Sequence, residues 1–91
     1  MKLRLSLAAE LDLINIKDTI SAENPDAAER VQRSIVGAIN LLKSFPYLGW
    51  PGSVLGTREK TVRSLPYVIV YAVGVNELII LRVYHGARNR P

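Results

Sequence analysis

The chain ends in LRVYHGARNRP, residues 81–91, and this stretch holds the side chains best suited to chemistry. His85 is the only histidine of the protein, and Arg82, Arg88 and Arg90 are three of its twelve lysines and arginines. Imidazole is the one side chain whose ordinary pKa lies near neutrality, so it can take up or release a proton under physiological conditions. Guanidinium forks match carboxylates and phosphates through paired N–H donors. A strand that only closes a fold needs neither, so the tail points to a phosphate or to an acidic partner.

The charge distribution agrees. Residues 1–56 carry six basic and six acidic residues, whereas residues 57–91 carry Arg58, Lys60, Arg63, Arg82, Arg88 and Arg90 against Glu59 and Glu77. The whole net charge of +4 therefore lies in the C-terminal part. Charge alone would also fit a stand-alone nucleic-acid-binding module, but both expected helices open with acidic residues and neither has a basic face to lay in a groove.

These residues must be positioned by a small scaffold. Ninety-one residues, 48% of them apolar and 22% charged, suit one soluble globular domain spanning residues 1–91 with a modest core. The absence of cysteine excludes a disulfide framework and any Cys-based metal site. It fits a reducing, cytoplasmic setting. The longest apolar run, LPYVIVYAVGV, is too short to cross a bilayer and contains a proline. Nothing in the composition calls for a cofactor or a metal.

KLRLSL alternates leucines with polar residues, the period of a half-buried strand, and Ser6 is placed to cap a helix. From Ala8 to about Ala22 the residues Ala9, Leu13, Ile16 and Ile20 form a core-facing stripe, with Leu11 and Ile14 widening it. Asn24-Pro25 then reads as an N-cap followed by proline in the first helical turn. The second helix should run to about Ser44 on a stripe of Ala28, Val31, Ile35, Ala38 and Leu42, with Ile39 beside it. Residues 45–57, rich in Gly and Pro, read as a loop pinned to the domain by Phe45, Tyr47 and Trp50.

After the loop the period changes to two, and residues 59–65, 67–73 and 77–85 read as three strands, with Gly74-Val75-Asn76 as the last turn. The order is β-α-α-β-β-β, an α+β domain with an antiparallel sheet and an N-terminal helical hairpin on one face. Strict alternation in the last strand would turn Ile79, Leu81 and Val83 to the helices, with His85 at the rim of that side. Leu78, Ile80, Arg82 and Tyr84 would lie on the open face, a mixed apolar and cationic surface of the kind partners use.

Taken together, AAELDLINIKDTI, NPDAAERV, LLKSFPYLGWPG, GTRE, LPYVIVYAV and LRVYHGARNRP resemble the ParE branch of the RelE/ParE superfamily, the toxins of bacterial type II toxin–antitoxin modules. The resemblance spans essentially the whole chain. It implies a toxin neutralised by a cognate antitoxin in a hetero-oligomeric complex, with DNA gyrase as target, replication blocked, and nucleic acid contacted only through that target. RelE-like relatives instead cut mRNA on the ribosome, so the fold alone does not fix the activity.

That alternative needs a base for the 2′-hydroxyl, an acid for the leaving oxygen and cations for the developing charge. The resemblance places Val68 where many RNase members carry arginine, and Glu59 and Thr61 where RelE places two lysines. Only His85, Arg88 and Arg63, with Glu59 as base, remain for such a reaction. The tail is better explained as a binding epitope: Arg82, Tyr84, Arg88 and Arg90 for the target, and Leu78, Ile80 and Arg82 for the antitoxin. The first strand, if it lies at a sheet edge, offers a second seat by strand addition.

Overall fold

A computed structural model describes residues 1–87. The first strand, β1 (Lys2–Leu5), leads into α1 (Leu7–Ser21) and α2 (Pro25–Ser44). Four strands follow: β2 (Trp50–Pro51), β3 (Arg58–Thr61), β4 (Tyr67–Gly74) and β5 (Glu77–His85). The helix starts are written in their caps. The Ser6 hydroxyl accepts the Ala9 N–H at 3.0 Å, and the Asn24 side chain accepts the Ala27 N–H at 3.0 Å with Pro25 opening the helix.

The strands form one sheet in the order β1-β5-β4-β3-β2. The sheet is mixed, which corrects the antiparallel expectation: β1 lies parallel to β5, pairing Leu3 with Leu78 and Leu5 with Ile80. A period of two identifies a strand but carries no information about the direction of its neighbour. β2, a two-residue strand inside the expected loop, pairs Trp50 with Glu59.

The core lies between the helices and one sheet face. Ala9, Ile35, Ile39 and Leu42 from the helices meet Ile69, Tyr71, Leu78, Ile80 and Val83 from the sheet. Burying each large aliphatic side chain contributes about 1.5–3 kcal/mol. The second helix follows its expected stripe. In α1, however, Leu11 and Ile14 are about half exposed and point away from the core, together with Leu7. They sit on the far side of the helix from Ala9, Leu13 and Ile16, so the buried face is narrower than expected.

The parity of β5 departs from strict alternation. Val70 pairs with Arg82 and the next residue, Tyr71, pairs with Ile80, which leaves Leu81 as the extra residue of a β-bulge. Before the bulge the even positions face the helices; after it the odd ones do. Leu78 and Ile80 are therefore fully buried in the core rather than open, and Val83 faces the core as expected.

Candidate functional site

Each C-terminal side chain is placed by β5 and its bulge. Arg82 lies on the outer edge of β5 past the end of β1 and reaches α1, where its Nε lies 2.8 Å from Asp12 Oδ2 and its Nη2 lies 3.0 Å from Oδ1. The same carboxylate accepts the Val83 backbone N–H at 2.9 Å, and the Ser6 hydroxyl donates to the Leu81 carbonyl at 2.7 Å. Beyond Ile80 the outer edge of β5 is thus closed by two side chains from the β1–α1 segment. The pKa of Arg82 is raised, first by its hydrogen bond to Asp12 and then by the charge of that carboxylate. The guanidinium half of the pair is accordingly charged throughout the physiological range.

This geometry corrects the expected antitoxin-binding set. Leu78 and Ile80 offer no surface, and Arg82 is exposed but already engaged by Asp12 of α1. Of the expected target-binding set, Tyr84 does lie on that far face but is nearly fully buried. Its hydroxyl donates to Glu59 Oε1 at 3.2 Å. Arg88 and Arg90 lie outside the described residues.

Glu59 is, among the described residues, the one buried charged side chain, and it is held from both sides. Besides Tyr84, the Ser53 N–H approaches Oε2 at 3.3 Å. Its strand neighbours on this face follow from register: Trp50 and Val70 flank Glu59, while Thr61 pairs with Val68 and Val68 with Tyr84. The three positions singled out by the resemblance, Glu59, Thr61 and Val68, therefore form one patch on the sheet face away from the helices.

His85 is elsewhere. It pairs with Tyr67 on the helix side of the sheet, their rings meeting edge to face at 5.7 Å, and its Nδ1 accepts the Ala87 N–H at 3.2 Å. It borders a cavity of about 160 Å³ shared with Asp12, Asn15 and Thr19 of α1. Arg63 is at a third location, in the turn after β3, lining a groove against α2. The candidate catalytic residues His85, Arg63 and Glu59 are thus not gathered around one point, and Arg88 lies outside the described residues.

The loop 45–57 is clamped differently from expectation. Phe45, Tyr47 and Trp50 are all more than half exposed. The buried Tyr71 hydroxyl does the pinning: it donates to the Pro46 carbonyl at 2.7 Å and accepts the Gly49 N–H at 3.0 Å. Position 49 must be glycine, because a Cβ there would lie 2.5 Å from the Glu59 carbonyl oxygen and 2.7 Å from the Tyr71 hydroxyl. Arg58 reinforces the clamp by donating to the Tyr47 and Gly49 carbonyls, with its guanidinium 5.3 Å from the Tyr47 ring centre. Sequence reasoning missed Asp12 and Tyr71. Asp12 had a signal, a carboxylate beside the apolar stripe of α1; Tyr71 had none, being one aromatic in an apolar strand.

Among the described residues, no helix is long and apolar enough to cross a membrane.

A two-helix hairpin packed on one face of a five-stranded mixed sheet, with a bulged final strand, defines a small α+β domain. The chain matches, over residues 3–90, the family described as ParE toxin of type II toxin-antitoxin system, parDE. A putative toxin, Y4kP of Sinorhizobium fredii (strain NBRC 101917 / NGR234), is 34% identical over 90 residues, covering 99% of this chain and 93% of that one. Among solved structures, a chain of the chromosomal ParDE TA system from P. aeruginosa superposes with a TM-score of 0.84 at 27% identity, covering 93% of this chain and 95% of that one. The conserved hypothetical protein HP0894 of Helicobacter pylori shares the fold at a TM-score of 0.61 and 22% identity, covering 96% of each chain. The chain belongs to the ParE toxin family of type II toxin–antitoxin systems.

Proposed function

We propose that the protein acts as a non-enzymatic poison of DNA gyrase, blocking replication, and is held inactive by a cognate antitoxin. Membership of the ParE family supports this, as does likeness to a chain of a ParDE system. The observation that carries the reading against RNA cleavage is the Glu59 patch. Where a nuclease would gather cations around a phosphate, this face presents a buried carboxylate held by Tyr84 and Ser53, a hydroxyl at Thr61 and an aliphatic chain at Val68. A buried anion repels a phosphodiester and cannot neutralise the charge of its transition state. The lone imidazole stands on the opposite side of the sheet.

The deciding experiment is a supercoiling assay with purified gyrase. Inhibition or trapped cleaved DNA supports the reading, and no effect at high excess of toxin over gyrase overturns it. Primer extension on translated mRNA addresses the alternative, which requires codon-specific cuts that vanish in His85→Ala.

A further inference from the structure

The other long edge of the sheet is built to receive a chain. β2 pairs only with Arg58 and Glu59, so Lys60 and Thr61 have no strand on their outer side among the described residues. An open strand edge is a template for strand addition. Beside it runs a groove of about 350 Å³ between β3 and α2, floored by Gly37, Ala38 and Leu41 and rimmed by Lys60, Thr61 and Arg63. A Cβ placed on Gly37 would meet nothing within 4 Å, so the helix itself leaves room there.

The charge around the groove selects the occupant. From Arg30 to Asn76 the sequence holds six basic residues and one acid. That acid is Glu59, which is buried and bonded to Tyr84 and Ser53. Lys60 and Arg63 make no ion pair or side-chain hydrogen bond among the described residues. At the opposite edge, by contrast, Arg4 on β1 is already met by Glu77 at 3.3 Å. Two copies of this chain could not pair at β3 without setting Lys60 and Arg63 against their like, which disfavours self-association through this edge. The complementary occupant is an extended peptide with acidic side chains and at least one apolar one.

We infer that the groove between α2 and β3 seats an acidic, extended segment of the cognate antitoxin. Its backbone continues the sheet at Lys60–Thr61, its carboxylates meet Lys60 and Arg63, and an apolar side chain packs over Gly37 against Ala38 and Leu41. This rests on the toxin–antitoxin reading above and moves the antitoxin seat away from Leu78 and Ile80.

The test measures binding of the purified antitoxin encoded beside the toxin to four forms of the full chain: wild type, Lys60→Glu/Arg63→Glu, Gly37→Leu, and Lys17→Glu on α1 as control. The charge reversal should weaken binding by about 30-fold or more, and Gly37→Leu, whose Cβ would enter open space in the groove, by about tenfold. The control should stay within about threefold of wild type. Amide hydrogen exchange on the wild-type complex should show new protection at residues 60–63 and 34–41. If wild type binds while both groove variants bind equally well, or if those amides gain no protection, the seat is wrong and the toxin–antitoxin reading stands. If wild type binds no antitoxin at all, both fall.

Discussion

Asp12 on α1 and Arg82 on β5 are joined by two hydrogen bonds of 2.8 and 3.0 Å, and the same carboxylate caps the backbone N–H of Val83. One acidic side chain thereby fastens the first helix to the last strand at the point where β1 has run out. The two halves of this contact differ in worth. Arg82 is exposed, so its ion pair is screened and contributes under about 1 kcal/mol. The Val83 N–H is part-buried and takes the Asp12 carboxylate as its acceptor.

Asp12→Ala should therefore lower stability by about 1–3 kcal/mol, since it strands a partly buried donor, whereas Arg82→Ala should cost under about 1 kcal/mol. Urea denaturation of the two variants measures the difference. Equal losses would mean that the ion pair, and not the capped strand, carries the contact.

Tyr71→Phe removes one oxygen and takes the hydroxyl partner from the buried Gly49 N–H and the part-buried Pro46 carbonyl. The expected loss is about 1–3 kcal/mol, with faster hydrogen exchange at Gly49. Exchange at Gly49 as slow as in wild type would show that Arg58 alone is sufficient to hold the loop.

Glu59→Gln keeps an acceptor for Ser53 and a partner for Tyr84. Inhibition of gyrase by this variant should stay within about threefold of wild type, because on the proposed reading the carboxylate is structural. A carboxylate acting as a general base would instead lose about 100-fold or more in activity on substitution. Such a loss of RNA cleavage would reverse the functional assignment.

Deleting Leu81 would join Ile80 directly to Arg82 and make the alternation of β5 regular, with Leu78, Ile80 and Val83 still on one face. The shortened chain should fold around the same core while losing the Ser6 bond to the Leu81 carbonyl and the aim of Arg82 toward Asp12. A loss of about 1–3 kcal/mol in thermal or urea unfolding is expected. A chain that no longer folds would show that the bulge is needed to form the sheet at all.

The bulge also marks where the sequence stops being readable. Both helices, their Ser6 and Asn24 caps and the strands β4 and β5 follow from local pattern, because caps and hydrophobic periods are encoded within a few residues of the place they act; β3 instead stops at Thr61, short of the expected residue 65. The inward face of β5 is not local. Strict alternation puts Ile79 and Leu81 inside, and nothing in ELIILRVYH announces the extra residue that puts Leu78 and Ile80 there instead. The tail chemistry was legible as types and not as places. His85 was rightly set at the rim of the core side, yet Glu59, Arg63 and His85 are dispersed by a tertiary arrangement that spacing alone does not reveal.

The parallel pairing of β1 with β5 joins residues 2–5 to residues 77–80, contacts separated by most of the chain. Such distant pairings are slow to form, because a long loop must close before any contact rewards it. During synthesis the N-terminal strand must wait, with Leu3 and Leu5 unsheltered, until Glu77–Ile80 has left the ribosome. The sheet is then completed only once residues 77–80 have been made. Any activity that depends on the finished sheet is withheld from the growing chain until that pairing has closed.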